Sequence, residues 1–240
     1  MESIGVNAGE KKTIELCLNQ HSDTEVYATK IQLLVDPKKN KSEARILIVG
    51  KHRVYVFKSG KPTHEIFLLE ISEVSSPNPT SLSIKAKSGT VQLADGHTEQ
   101  QIEEIISKVY LSFATTFPAI KEQLPILTLP EDRAPKIKST VESQVNFEEN
   151  CGLFTNTYTA ICDHLNIPPL ADLIWDINHL YVANEVTDLK LFECTLRPER
   201  LNPGDIRALL TALLYNTHFT GLLIENVKLD SHAINAITAV

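Results

Sequence analysis

The sequence predicts a multidomain chain: a small antiparallel β-barrel or sandwich closed by a C-terminal helix, then the start of an α/β repeat solenoid. Three observations carry this. Short β-rich runs crowd residues 25–93 and end in one amphipathic helix, a proline-bearing polar stretch follows at 119–150, and one apolar template recurs 33 residues apart near the C-terminus. A length of 240 residues suits two domains. With 42% hydrophobic and 22% charged residues, the composition is that of a globular chain. The formal charge of −7 argues against nucleic acid as a partner of the whole chain, yet residues 28–62 hold nine basic groups against two acidic ones. A cationic segment is thus embedded in an acidic protein.

Residues 1–24 read as an N-terminal extension. No apolar core of a signal peptide is present there, since Glu10, Lys11 and Lys12 stand where it would lie. No apolar run approaches 18 residues, so no membrane span is expected. Cys17, Cys151, Cys162 and Cys194 show no CxxC pair and no metal-ligand spacing. Reduced thiols in a cytosolic protein, with no metal and no cofactor, are the expectation.

The strand candidates run 27–35, 44–49, 54–57, 65–71, 81–87 and 90–93, parted by turn material such as Asp36-Pro37 and Ser59-Gly60-Lys61-Pro62. Such density implies an antiparallel meander. Ile102, Ile105, Ile106, Val109 and Phe113 then recur at helical steps, and Thr98 with Gln101 offers a capping box. Several strands followed by one helix is the order of a pleckstrin-homology (PH) domain, assigned to 25–118. The Trp usual in such a helix is absent; Tyr110 and Phe113 are the large aromatics near its centre. Pro118, Pro125, Pro130 and Pro135, with the polar run after them, read as a linker over 119–150.

Residues 151–185 read as a solenoid cap, with a helix over 153–165 and Trp175 packed beneath it. From Val186 the chain fits the leucine-rich template L-x-x-L-x-L-x-x-N/C-x-L through Leu189, Leu191, Cys194 and Leu196. Phe219, Leu222, Ile224, Val227 and Leu229 repeat it in the same register, Val227 departing where Asn or Cys is expected. Between them Asn202 caps a helix with Pro203 at its first position and Ile206, Leu209, Leu210, Leu213 and Leu214 on one face. A second helix starts at Ser231. Residues 186–240 are therefore the first leucine-rich repeats. Because such repeats need about three or more units and a cap, the chain reads as a fragment or short product of a longer solenoid.

The candidate binding residues are cationic. Lys38, Lys39 and Lys41 occupy the first loop, Lys51 and Arg53 bound the second, Lys58 and Lys61 the third, and Arg45 lies on the second strand. In a meander the first and third loops share one end, which a PH domain presents to anionic head groups. Specific head-group pockets usually carry Lys/Arg-x-Arg on the second strand, and here Arg45 stands alone. The solenoid's strand positions Asp188, Lys190, Phe192, Glu193 and Thr195, then Gly221, Leu223, Glu225, Asn226 and Lys228, would line a protein-binding face. Cys162, Asp163 and His164 are adjacent and point about 100° apart on a helix, so they form no relay. No phosphate-binding glycine motif is present. No enzyme is expected.

Tyr158, Ala160, Cys162-Asp163, Leu165, Trp175-Asp176, Tyr181, Leu189, Leu191 and the run Leu213 to Thr220 with Tyr215-Asn216 together resemble the CARMIL family, which links actin capping protein, Arp2/3 and myosin I. That family begins with a divergent PH domain, a linker and a long leucine-rich solenoid. The resemblance implies an actin-assembly regulator at the plasma membrane and the leading edge, with weak, non-specific binding to anionic phospholipid. It also implies capping protein as a partner, through a tail motif not present in these residues, and dimerisation through a helical region likewise not present. The other reading is a leucine-rich protein-binding scaffold without lipid contact.

Overall fold

The computed structural model describes residues 6–120, 126–130, 133–146, 150–190, 201–223, 229, 231 and 234–235. The chain divides into two compact units, one of residues 1–114 with 123–145, the other of 115–122 with 146–240.

In the first unit, β1 (Glu25–Asp36), β2 (Lys41–Gly50), β3 (Arg53–Lys58) and β4 (Lys61–Phe67) pair antiparallel in chain order. Turn chemistry sets their register. Asp36 accepts the backbone N–H groups of Lys38 and Lys39, and Asn40 follows at φ 49°. Ser59 and Gly60, at φ 48° and 76°, make the two-residue left-handed turn that suits a twisted hairpin. A second sheet has the order β7-β6-β5-β8, from β5 (Ile71–Ser75), β6 (Ser83–Ala86), β7 (Gly89–Gln92) and β8 (Ile126–Thr128). The sheets join where Leu33 bridges Leu93 and Ala94 N–H reaches Gln32 O at 2.8 Å.

Strand alternation divides the apolar residues between two faces. Leu47, Val49, Val54 and Val56 fill one face and are fully buried. α2 (Glu99–Thr116) buries Ile102, Ile105, Ile106, Val109 and Phe113, as its spacing predicts. Thr98 caps it through Gln101 N–H, but the Gln101 side chain donates instead to Thr29 and the Lys30 carbonyl, tying the helix to β1. The opposite strand face, Ala28, Ile46, Ile48, Tyr55 and Phe57, is covered by α1 (Ala8–Gln20) through Ile14, Cys17 and Leu18. The extension is thus a helix belonging to the first unit, opened by the reciprocal pair Asn7 and Glu10.

The proline-bearing stretch also differs from a bare linker. β8 extends the second sheet parallel to β5, and α3 (Arg133–Glu142) buries Ile137 and Val141. Arg133, also buried, donates to Ser76 O and Oγ at 3.4 and 3.1 Å. Pro135 falls in α3's first turn, where no amide donor is needed.

In the second unit, α4 (Asn150–His164) opens with Cys151, Gly152 and Leu153 in the left-handed region, at φ 54°, 64° and 61°. Asn216 holds that turn: its Nδ2 donates to the Cys151 and Gly152 carbonyls, while its Oδ1 accepts from His218 and Phe219 N–H. α5 (Ala171–Asp176) continues into a π-turn over Ile177–Tyr181. It buries Leu173 and Ile177, so Trp175 between them faces outward. Trp175 is half exposed and stacks on His179, one turn later, which corrects its expected place beneath the cap helix. α6 (Pro203–Leu213) starts as predicted, with Asn202 and Asp205 forming a capping box. β9 (Asp188–Lys190) and β10 (Gly221–Leu223) pair in parallel, with Leu189 opposite Leu222. The register is the 33-residue offset of the sequence template. A leucine-rich solenoid, as opposed to this strand-helix-strand unit, is not established by the fold. Leu191, Cys194, Leu196, Ile224 and Val227, and most of the helix expected from Ser231, lie outside the described residues.

Candidate functional site

Lys38, Lys39 and Lys41 flank the β1–β2 turn and Lys58 and Lys61 the β3–β4 turn, so all five stand at one end of the first sheet. All are exposed; the Lys39 side chain is 81% so. Lys51 and Arg53 stand at the other end, at the β2–β3 turn, with the Arg53 guanidinium over the Phe67 ring at 5.4 Å. The eight basic residues named from the sequence therefore form no single patch.

Glu43, absent from the sequence candidates, organises the five-lysine end. Its carboxylate accepts from Lys58 Nζ and Arg45 Nη2, each at 2.7 Å, and Lys41 Nζ approaches to 3.3 Å. The hydrogen bond from Lys58, then those from Arg45 and Lys41, hold this carboxyl down at about 2. Arg45 is buried, unlike the lysines; Nη1 donates to Ala44 O at 2.9 Å, while Nε has no hydrogen-bond partner. Burial first, and the Arg45 charge second, push the nearby His64 imidazole below its ordinary value. A signal for Glu43 did exist. It sits two residues before Arg45, on the same strand face.

Five exposed ammonium groups thus share this end with two carboxylates, Glu43 and Asp36, whose Oδ2 stands 4.0 Å from Lys39 Nζ. In the second unit Cys162 is fully buried and its thiol is pushed up to about 11 by that burial. Of the strand positions, Asp188 is exposed and Lys190 half-buried, the latter's N–H and carbonyl both bonded to Tyr181 Oη. Phe192, Glu193, Thr195, Glu225, Asn226 and Lys228 lie outside the described residues. Among the described residues no helix is long and apolar enough to cross a membrane.

Residues 28–118 match the Carmil pleckstrin homology domain. The Rho GTPase-activating protein gacW of Dictyostelium discoideum is 31% identical over 242 residues, covering 99% of this chain and 20% of its own length. Protein CARMIL of the same organism is 26% identical, covering 98% of this chain and 22% of its own. Capping protein, Arp2/3 and myosin-I linker protein 3 of Mus musculus is 23% identical, covering 94% and 16%. The chain spans about a fifth of the length of the curated relatives it matches.

Proposed function

From the premise that the chain belongs to the CARMIL family, over the N-terminal portion that carries its PH domain, we propose that it is a non-catalytic, membrane-associating adaptor segment of an actin-assembly regulator. The observation that carries this is the gathering of Lys38, Lys39, Lys41, Lys58 and Lys61 at one end of the sheet. Each lysine held near an anionic leaflet contributes roughly 1 kcal/mol. Five lysines less the Glu43 and Asp36 charges supply about 3 kcal/mol, roughly a hundredfold enrichment. Contact is weak and non-specific on this reading, because Arg45, the guanidinium of β2, is buried and engaged by Glu43.

Vesicle sedimentation tests it. Phosphatidylserine and phosphoinositide vesicles of matched charge should bind equally, and Lys38→Glu, Lys39→Glu and Lys41→Glu together should abolish binding. A strong preference for one phosphoinositide would mean that the unspent Arg45 Nε serves a real head-group pocket, and non-specific contact would then be wrong.

The strand-helix-strand unit supports the rest of the proposal. On this proposal it is the start of a leucine-rich solenoid whose strand face, with Asp188 and Lys190, is a protein-interaction platform. Relatives named for capping protein, Arp2/3 and myosin I support actin-regulatory partners, and the lysine end is what favours a place at the actin-rich plasma membrane. No residue here is assigned to capping protein. The second reading, a protein-binding scaffold without lipid contact, is favoured by one observation: Glu43 already engages three of the cations. Under it, the triple charge reversal leaves vesicle sedimentation at its background level.

A further inference from the structure

Cys17 and His21 are four residues apart, on the last turn and C-cap of α1, and so share a helix face. Glu65 pairs with Tyr55 across β3 and β4, which puts its side chain on the sheet face that α1 covers. The potential ligand atoms of these three residues all lie within 4.8 Å of one another, and His21 Nε2 meets a Glu65 oxygen at 2.8 Å. From Zn–S and Zn–N lengths, donors around a tetrahedral zinc stand roughly 3.3–3.8 Å apart. The triad, within 4.8 Å, stands close to that spacing.

The surroundings are built, not accidental surface. Cys17 is buried beside Ile14, Leu18, Ile46, Ile48, Tyr55 and Phe57, which leaves its sulfur facing His21 and Glu65. The His21 carbonyl is bonded to His52 Nε2 at 3.0 Å, and its ring packs against Tyr55 with centroids 6.0 Å apart. Tyr55 Oη in turn donates to the buried Asp23 at 2.9 Å. Burial pushes the Cys17 thiol up to about 11, with Glu65 adding to the rise, Arg53 opposing it and Asp23 adding least.

We propose that Cys17, His21 and Glu65 form a divalent transition-metal site of the zinc type that fastens the C-terminal end of α1 to β4. A soft thiolate, an imidazole and a carboxylate make a three-residue donor set that leaves a fourth position for water or an incoming ligand. On binding, the Cys17 proton passes to solvent and the sulfur bonds the ion as thiolate, with no change of oxidation state. The site is independent of the lysine end and of the lipid reading.

Cobalt(II) titration of the chelator-stripped chain is the test. The expected result is one equivalent bound, with tetrahedral visible bands and a thiolate-to-cobalt band in the near ultraviolet, both bleached by zinc. Cys17→Ser should remove the near-ultraviolet band, and His21→Ala and Glu65→Gln should each weaken binding by about tenfold or more, the loss that even outer-shell changes cause. Cys17→Ala, checked for folding by circular dichroism, covers the case in which a buried serine hydroxyl unfolds the unit. In the wild-type chain zinc should slow hydrogen exchange of the α1 amides, and in His21→Ala it should not. Absence of the near-ultraviolet band, its survival in the folded Cys17→Ala chain, or α1 exchange indifferent to zinc would each overturn the proposal.

Discussion

Of the two carboxylates at the five-lysine end, Glu43 and Asp36, Glu43 engages more of the cations. Glu43 takes hydrogen bonds from Lys58, Arg45 and Lys41, and removing its charge leaves the two exposed lysines among them to the solvent. We predict that Glu43→Gln tightens binding to phosphatidylserine vesicles by about fivefold, one charge's share, in the same sedimentation assay. The same residue sets an acid dependence. Its carboxyl falls from an ordinary 4.5 to about 2, so its contribution is present above about 4.5 and is lost as pH drops toward 2. Thermal midpoints of the wild-type chain should fall more steeply through that window than those of Glu43→Gln. The difference will be small, since exposed ion pairs contribute little. Counting cations along the sequence could not expose this, because neutralisation depends on β2 and β3 bringing Glu43 to Lys58. Asn216 shows a related limit: its place in a familiar Tyr-Asn pair was legible, its work was not. It satisfies two carbonyls and two amides around a left-handed turn. Asn216→Ala should cost about 2–3 kcal/mol in urea unfolding, because buried backbone groups lose their partners.

Among elements, those with internal periodicity were readable and those defined by a distant partner were not. α2 and α6 carry apolar steps of three and four with their own caps, and both lie where the pattern places them. The repeat offset translated directly into strand register, because identical template positions stack in neighbouring strands. β8 has three residues, too few for a period, and becomes a strand only because β5 offers a free edge. α1 was passed over for a different reason. Its apolar side is just Ile14, Cys17 and Leu18, too narrow to mark a helix without the sheet face that receives it. That face tests its worth. Ile14→Ala, at a fully buried position, should destabilise the chain by about 2–5 kcal/mol in denaturant unfolding. A helix lying loosely on the sheet would lose well under 1 kcal/mol.

For the whole molecule, the uneven charge matters more than its total. An acidic chain of −7 approaches an anionic surface only if its cationic end leads. The sheet supplies that polarity, placing five lysines at one end and Lys51 with Arg53 at the other. Orientation therefore becomes measurable. Lys51→Glu should leave phosphatidylserine vesicle binding within about twofold of wild type, whereas Lys39→Glu, which inverts one charge at the leading end and so removes two units, should weaken it by more than about tenfold. Both variants carry the same net charge, so a simple dependence on total charge predicts equal losses. Raising salt to 1 M shortens the screening length from about 8 to about 3 Å and should release the wild-type chain. Equal losses from the two substitutions would show that the chain meets the membrane without a preferred end.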